Sequence, residues 1–233
     1  MSEVRNSLKE RLARGEVASS MTVRMSRGGE IAQLAKTAGF DSLYIDLEHS
    51  SLSLETTSQI CVAALGCGIA PLARVPQVEM IQRVLDGGAL GIIAPDVRTA
   101  AQAREIVKAV KYPPLGERGF ATALPHFQYR SLPAKEGYAA LNDATMVIVQ
   151  FESAEGVDNA EAILAVEGVD MALFGTNDLT ADMGIPGDYA NPRVRDAYAR
   201  AIAAAKKHGK HVGVGGLASQ PQLTAEFVKM GAR

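Results

Sequence analysis

A chain of 233 residues with 47% hydrophobic residues can bury a full core, which excludes an intrinsically disordered protein. Its 24 lysines and arginines stand against 26 aspartates and glutamates, a formal net charge of −2, so the basic excess of a nucleic-acid binder is missing. Cys61 and Cys67 form neither a CxxC pair nor a Cys/His cluster, which argues against a disulfide scaffold or zinc module and fits a reducing cytosol.

The chain opens on MSEVRNSLKERLARGE, too polar for a signal peptide, in which KERLAR reads as a solvated helix face. A strand is predicted over 17–23, then a helix over 29–38 that stops at Gly39. The next strand, 42–47, leads into a helix over 54–65, capped by Ser53 and stopped by Gly66. The uncharged run 56–73 is broken by Gly66, Gly68 and Pro71, so it is no membrane span. Strand 68–75, helix 78–85 with Gly87 behind it, strand 91–95 and helix 100–110 behind Thr99 follow. Residues 112–143, with PPLGERGF and ALPHFQYRSLP, read as one long irregular stretch, expected to be a lid or an interface. Strand 145–151, a helix over 154–164 capped by Ser153 and strand 170–175 come next. A helix over 192–208 opens on Asn191-Pro192 and stops at Gly209. Strand 211–216 and a helix over 219–230, capped by Ser219 and stopped by Gly231, complete the chain. The strands are short and rich in Val, Ile, Leu and Ala, as expected when both faces are buried. The helices carry apolar residues three and four apart.

Seven strand–helix units imply an α/β fold with a parallel sheet, either doubly wound or closed as a (β/α)8 TIM barrel. No GxGxxG follows the first strand, and GGALG at 87–91 has the wrong spacing, which favours the barrel. With no linker or internal repeat, residues 1–233 read as a single domain. After the last predicted helix only Gly231, Ala232 and Arg233 remain, too few for a strand. The expectation is therefore seven of eight barrel strands, with the eighth strand and final helix lacking, in a soluble cytoplasmic protein.

In a barrel, functional side chains gather where strands end. Those ends carry Asp46, Glu48 and His49, then Arg74, then Gln150 and Glu152, then Thr176, Asn177 and Asp178. Glu152 and Asp178 are the natural metal pair, since two carboxylates suit a hard ion such as Mg2+ or Mn2+. The competing reading is that Asp178 caps the following helix. Of the four histidines only His49 directly follows a strand between acids, and a neutral imidazole there suits a general base. Arg74 closes an apolar strand as a permanent cation, fit to anchor a carboxylate or an oxyanion. No lysine lies in a predicted strand, so a Schiff-base mechanism lacks its amine. The glycine run 213–216 is a weak phosphate signal.

FDSLYIDLEHS (40–50), PLARVP (71–76), VLDGGALGIIAPDVRTAAQAREIVKAVKYPPLGERG (84–119), VIVQFES (147–153) and VEGVDMALFGTNDLTADMG (166–184) together resemble the class II, metal-dependent pyruvate aldolases of the 4-hydroxy-2-oxoheptanedioate aldolase type. Motif order and spacing are kept from about residue 31 to the end. The resemblance implies a (β/α)8 barrel assembled into homo-hexamers, cytoplasmic and serving aromatic-compound catabolism. It implies retro-aldol cleavage of 4-hydroxy-2-oxo acids to pyruvate and an aldehyde, with Mg2+, Mn2+ or Co2+ as cofactor and no nucleic-acid or membrane partner. Motif by motif, it implies Glu152 and Asp178 as metal ligands and Gln150 as a pyruvate contact. It further implies His49 as proton acceptor, Arg74 as transition-state stabiliser, and Asp86 as the acid that raises the basicity of the histidine. Asp46 is a second candidate for that supporting role. At Asn177 and Asp178 the family contacts pyruvate through the backbone. Here Asn177 replaces a small residue and Thr176 a proline, which puts the aldehyde preference in question. The first strand lacks a tryptophan-containing stretch common in the family.

Two other readings compete. A CoA-thioester lyase on a similar barrel needs basic residues for the CoA phosphates, and the strand ends offer few. A catalytically degenerate barrel subunit is favoured only by the short C-terminus.

Overall fold

The computed structural model describes residues 4–233. Its contacts group the chain into two compact units, Met1–Ile93 with Val107–Met146, and Ala94–Ile106 with Val147–Arg233. The elements run α1 (Ser7–Ala13), β1 (Ser20–Val23), α2 (Glu30–Thr37), β2 (Ser42–Asp46), α3 (Leu54–Cys67), β3 (Ala70–Arg74), α4 (Ile81–Asp86), β4 (Gly91–Ala94), α5 (Ala100–Val110) and α6 (Ala134–Ala144). They continue as β5 (Met146–Phe151), α7 (Ala154–Asp158), α8 (Ala160–Leu164), β6 (Met171–Gly175), α9 (Thr176–Asp182), α10 (Pro192–Lys207), β7 (His211–Gly215) and α11 (Pro221–Met230). Strand order follows chain order, and the fold is the parallel α/β, TIM-barrel-like type expected.

In the first unit, β1 pairs with β2 from Ser20/Ser42 to Val23/Ile45, and β2 with β3 from Ser42/Ala70 to Asp46/Arg74. Parallel pairing without slippage sets Asp46 and Arg74 side by side where both strands end. Every residue of β3 is buried, as anticipated for a strand covered on both faces. In the second unit β5 pairs with β6, placing Gln150 opposite Leu173, and β6 pairs with β7 as far as Gly175/Gly215. Gly213 on β7 leaves room for β6: a Cβ there would sit 2.5 Å from the Met171 methyl and 2.9 Å from Leu173 Cδ1.

Several expectations are corrected. Residues 112–143 are not irregular throughout. Their prolines and glycines mask α6, which starts directly behind Pro133 and buries Gly137, Leu141 and Ala144. The stretch carries its own core: Tyr112 stacks on Tyr138 at 4.8 Å, and Phe120 packs edge-on to both rings. KERLAR is no fully solvated face either. Leu12 within it is buried, as is Leu8 just before it, and Asn6 caps α1 while its amide donates to the carbonyls of Leu90 and Ala144. The helix over 154–164 is two short helices, parted at Asn159. Gly66 lies inside α3, which stops instead at left-handed Gly68. Ser219 is not a cap, since Gln220 precedes α11 without a side-chain bond. The caps at Ser53, Thr99, Ser153 and Asn191 form as anticipated.

The described residues contain seven strands and no eighth. The Arg233 N–H donates to the Val212 carbonyl at 2.8 Å, alongside β7. No helix among the described residues is long and apolar enough to cross a membrane.

Candidate active site

Each unit carries a polar cluster where its strands end. In the first unit the centre is Asp46, fully buried. It receives Arg74 Nε at 2.9 Å and Nη2 at 2.6 Å, Arg24 Nε at 2.7 Å, and the backbone N–H groups of Glu48 and His49 at 3.1 Å each. Burial alone pushes its carboxyl up, but the Arg74 hydrogen bonds and the His49 N–H hold it well below the usual carboxylate range. Arg74 is buried too. Its Nη1 lies 2.9 Å from Glu48, and its guanidinium lies 5.5 Å from the Tyr44 ring centre. Five donors on a guanidinium leave N–H groups over for a ligand.

His49, the expected proton acceptor, has a side chain 55% exposed, and its nearest carboxylate is Glu48 at 4.0 Å. Asp46 touches it only through the backbone. Asp86, at the end of α4, gives its carboxylate to buried Arg118 at 2.7 Å, and among the described residues no hydrogen bond or ion pair joins it to His49. Arg118 lies over the Tyr112 ring at 4.6 Å. Neither Arg118 nor Arg24 stands out in the sequence, because each becomes relevant only through a partner 22 or 32 residues away.

In the second unit Gln150 is the buried penultimate residue of β5 and Glu152 follows the strand. Glu152 Oε1 accepts the backbone N–H of Asp96 at 2.7 Å, and its Oε2 accepts the Gln150 amide. Gly175 makes this possible: a Cβ there would lie 2.6 Å from Glu152 Oε2 and 2.7 Å from Gln150 Nε2. Asp178 is exposed in the first turn of α9 and makes no hydrogen bond or ion pair among the described residues. It therefore does not cap the helix, whose N-cap is Gly175. Asn177 is exposed as well, and the Tyr189 hydroxyl donates to its Oδ1 at 2.7 Å. Thr176 is buried, donating to the Gly215 carbonyl at 2.6 Å and sharing a hydrogen bond with Tyr198.

Carboxylate oxygens are the donors a hard divalent cation takes: that of Glu152 is cradled against the Gly175 face, and that of Asp178 has no hydrogen-bond or ion-pair partner among the described residues. No group of three or more His, Cys, Asp or Glu side chains able to hold a metal occurs among the described residues. Lys111 is buried, its ammonium bonded to the carbonyls of Asn142 and Thr145. His126 bonds the Ala89 carbonyl, and burial pushes its pKa down to about 4. His208 pairs with Glu161 at 2.8 Å.

A family model described as HpcH/HpaI aldolase/citrate lyase matches residues 25–233. The chain is 42% identical over 223 residues to the 4-hydroxy-4-methyl-2-oxoglutarate aldolase of Hapsidospora irregularis, spanning 94% of this chain and 82% of that protein. It is 34% identical over 234 residues to the 2-keto-3-deoxy-L-rhamnonate aldolase of Escherichia coli, spanning 97% and 84%. A solved HpcH/HpaI aldolase from Desulfitobacterium hafniense matches with a TM-score of 0.91 at 31% identity, covering 98% of this chain and 88% of that one. The chain belongs to the HpcH/HpaI aldolase/citrate lyase family.

Proposed function

We propose that the protein is a divalent-metal-dependent lyase that cleaves 4-hydroxy-2-oxo acids to pyruvate and a second carbonyl compound. The observation that carries this is the 42% identity, over 94% of the chain, to a relative named as an aldolase. If that relative's substrate, 4-hydroxy-4-methyl-2-oxoglutarate, is also used here, the second product is a ketone, and each cleavage yields two pyruvates. Pyruvate release from a panel of 4-hydroxy-2-oxo acids, with and without EDTA, tests the proposal. Release with a divalent ion and its loss on chelation are expected; release indifferent to EDTA, or none from any member, overturns it.

In this reading Glu152 and Asp178 hold the cation, and Gln150 with the backbone at Asn177 and Asp178 holds pyruvate. Bound there, a divalent ion polarises the ketone of the 2-oxo acid as a Lewis acid. His49 accepts the proton of the C4 hydroxyl, for which its exposed ring is free to turn. As the C3–C4 bond breaks, its electron pair passes to C3, which takes up a proton to complete pyruvate. The spare N–H groups of Arg74 stabilise the oxygen on which negative charge develops, and Asp46 and Glu48 keep the guanidinium from turning away. Asp86 is proposed, on the family resemblance, to raise the basicity of the histidine. Asp86→Asn tests this: it should lower the rate of cleavage and move its pH profile.

The remaining expectations belong to the same reading. They are a single functional domain, a (β/α)8 barrel lacking its eighth strand and final helix in this chain, a homo-hexamer, a cytoplasmic setting, a part in aromatic-compound catabolism, and Mg2+, Mn2+ or Co2+ as the ion.

A further inference from the structure

We propose that Asp96 is a positioning residue for Glu152, holding that carboxylate in place with its own backbone N–H; this rests on the reading of Glu152 as a cation ligand. Asp96 lies just beyond β4 with φ of +46°, a left-handed conformation that disfavours most side chains. Its side chain accounts for its staying there. Both carboxylate oxygens accept Arg98 Nε, at 2.9 and 3.0 Å. Arg98 is tied down in turn: its N–H donates to Gln102 Oε1 at 2.9 Å, its carbonyl accepts the Asn159 amide at 2.8 Å, and its guanidinium lies 3.6 Å from Glu155. The Val97 N–H donates to the Gln150 carbonyl at 3.2 Å, fixing the turn against β5.

The turn so held delivers the Asp96 N–H to Glu152 Oε1 at 2.7 Å. A backbone amide is a neutral donor. It occupies one lone pair and orients the carboxylate without cancelling its charge, as outer hydrogen bonds do for metal ligands. Asn159, the C-cap of the short helix α7, also carries the side-chain amide that grips Arg98. Asp96, Arg98 and Asn159 thus form one brace around a single backbone N–H.

The test is calorimetric titration of EDTA-stripped protein with Mn2+, alongside thermal melting. Asp96→Val introduces a β-branched side chain that resists positive φ, and it should raise the Kd for Mn2+ by about tenfold or more. Asp96→Gly and Asp96→Asn tolerate the left-handed turn and lose only all or part of the Arg98 contact, so each should weaken binding clearly less than Asp96→Val. Wild-type Kd in Asp96→Val overturns the inference, as does an equal loss in all three variants. If Asp96→Val fails to fold, Arg98→Met carries the test. It should weaken Mn2+ binding, and unchanged binding overturns the inference. Glu152→Gln separates the two levels: wild-type binding there refutes the ligand reading and this inference with it. Loss in Glu152→Gln with no loss in Asp96→Val refutes the positioning role alone.

Discussion

Asp46 and Asp178 are both aspartates near strand ends, and their surroundings are opposite. Asp46 is fully buried and takes hydrogen bonds from two arginines and two backbone N–H groups. Asp178 is exposed and takes none among the described residues. A buried carboxylate so saturated has no room for a ligand; its work is to hold Arg74 and the turn that carries His49. An unpaired carboxylate at the start of a short helix costs little to leave open in water and gains most when a cation arrives. The contrast separates a carboxylate that braces its neighbours from one left open to solvent.

The largest expected effect comes from the two carboxylates proposed to hold the cation. Glu152→Gln and Asp178→Asn should each reduce metal-dependent pyruvate release by about a hundredfold or more, while melting within a few degrees of the wild type. Retained EDTA-sensitive turnover in either variant breaks the comparison.

Next is the bracing carboxylate. Asp46→Ala leaves Arg74 buried without its main partner, and removing one member of a buried pair costs roughly 3–5 kcal/mol. The variant should melt well below the wild type or fail to fold; an unchanged Tm would contradict the structural role. Arg74→Ala and His49→Ala sharpen the point by failing differently. His49→Ala should lose cleavage and keep part of the metal-dependent exchange of pyruvate methyl protons. Arg74→Ala should lose both.

The smallest effect is a pH dependence from His126. Burial lowers its pKa to about 4 from 6.5, with Arg118 lowering it further while the Ala89 carbonyl and Asp86 oppose the shift. The unfolded chain takes up this proton first, so the stabilisation is complete above about pH 6.5 and is lost as pH falls towards 4. The full loss is on the order of 3 kcal/mol. Asp46, depressed below its usual 3.8, loses its contribution only at lower pH, so the two windows are distinct. Between pH 7.5 and 5, His126→Asn should lose less stability than the wild type, and parallel curves would remove His126 as the cause.

Much of both clusters was legible from where polar residues interrupt apolar strands. Arg74 closes five buried residues, and Glu152 follows six, so each reads as a strand end without coordinates. What stayed hidden depends on direction and register. Nothing local says that Asp46 turns to Arg74 and Arg24 instead of the His49 ring, or that Asp86 turns to Arg118. Asp96 acts through a backbone N–H and a positive φ, neither of which a side-chain inventory records. Helix α6 lies inside the stretch that PPLGERGF and ALPHFQYRSLP mark as irregular, with Pro133 directly before it and Gly137 within it. The proline precedes the first turn, and the glycine makes room for Phe120.

The most direct measurement is a Mn2+ titration of Asp178→Asn and Asp46→Asn side by side, each with its melting curve. The account predicts a crossed result: Asp178→Asn loses Mn2+ binding and keeps its Tm, whereas Asp46→Asn lowers the Tm and still binds Mn2+. Wild-type Mn2+ affinity in Asp178→Asn would contradict it.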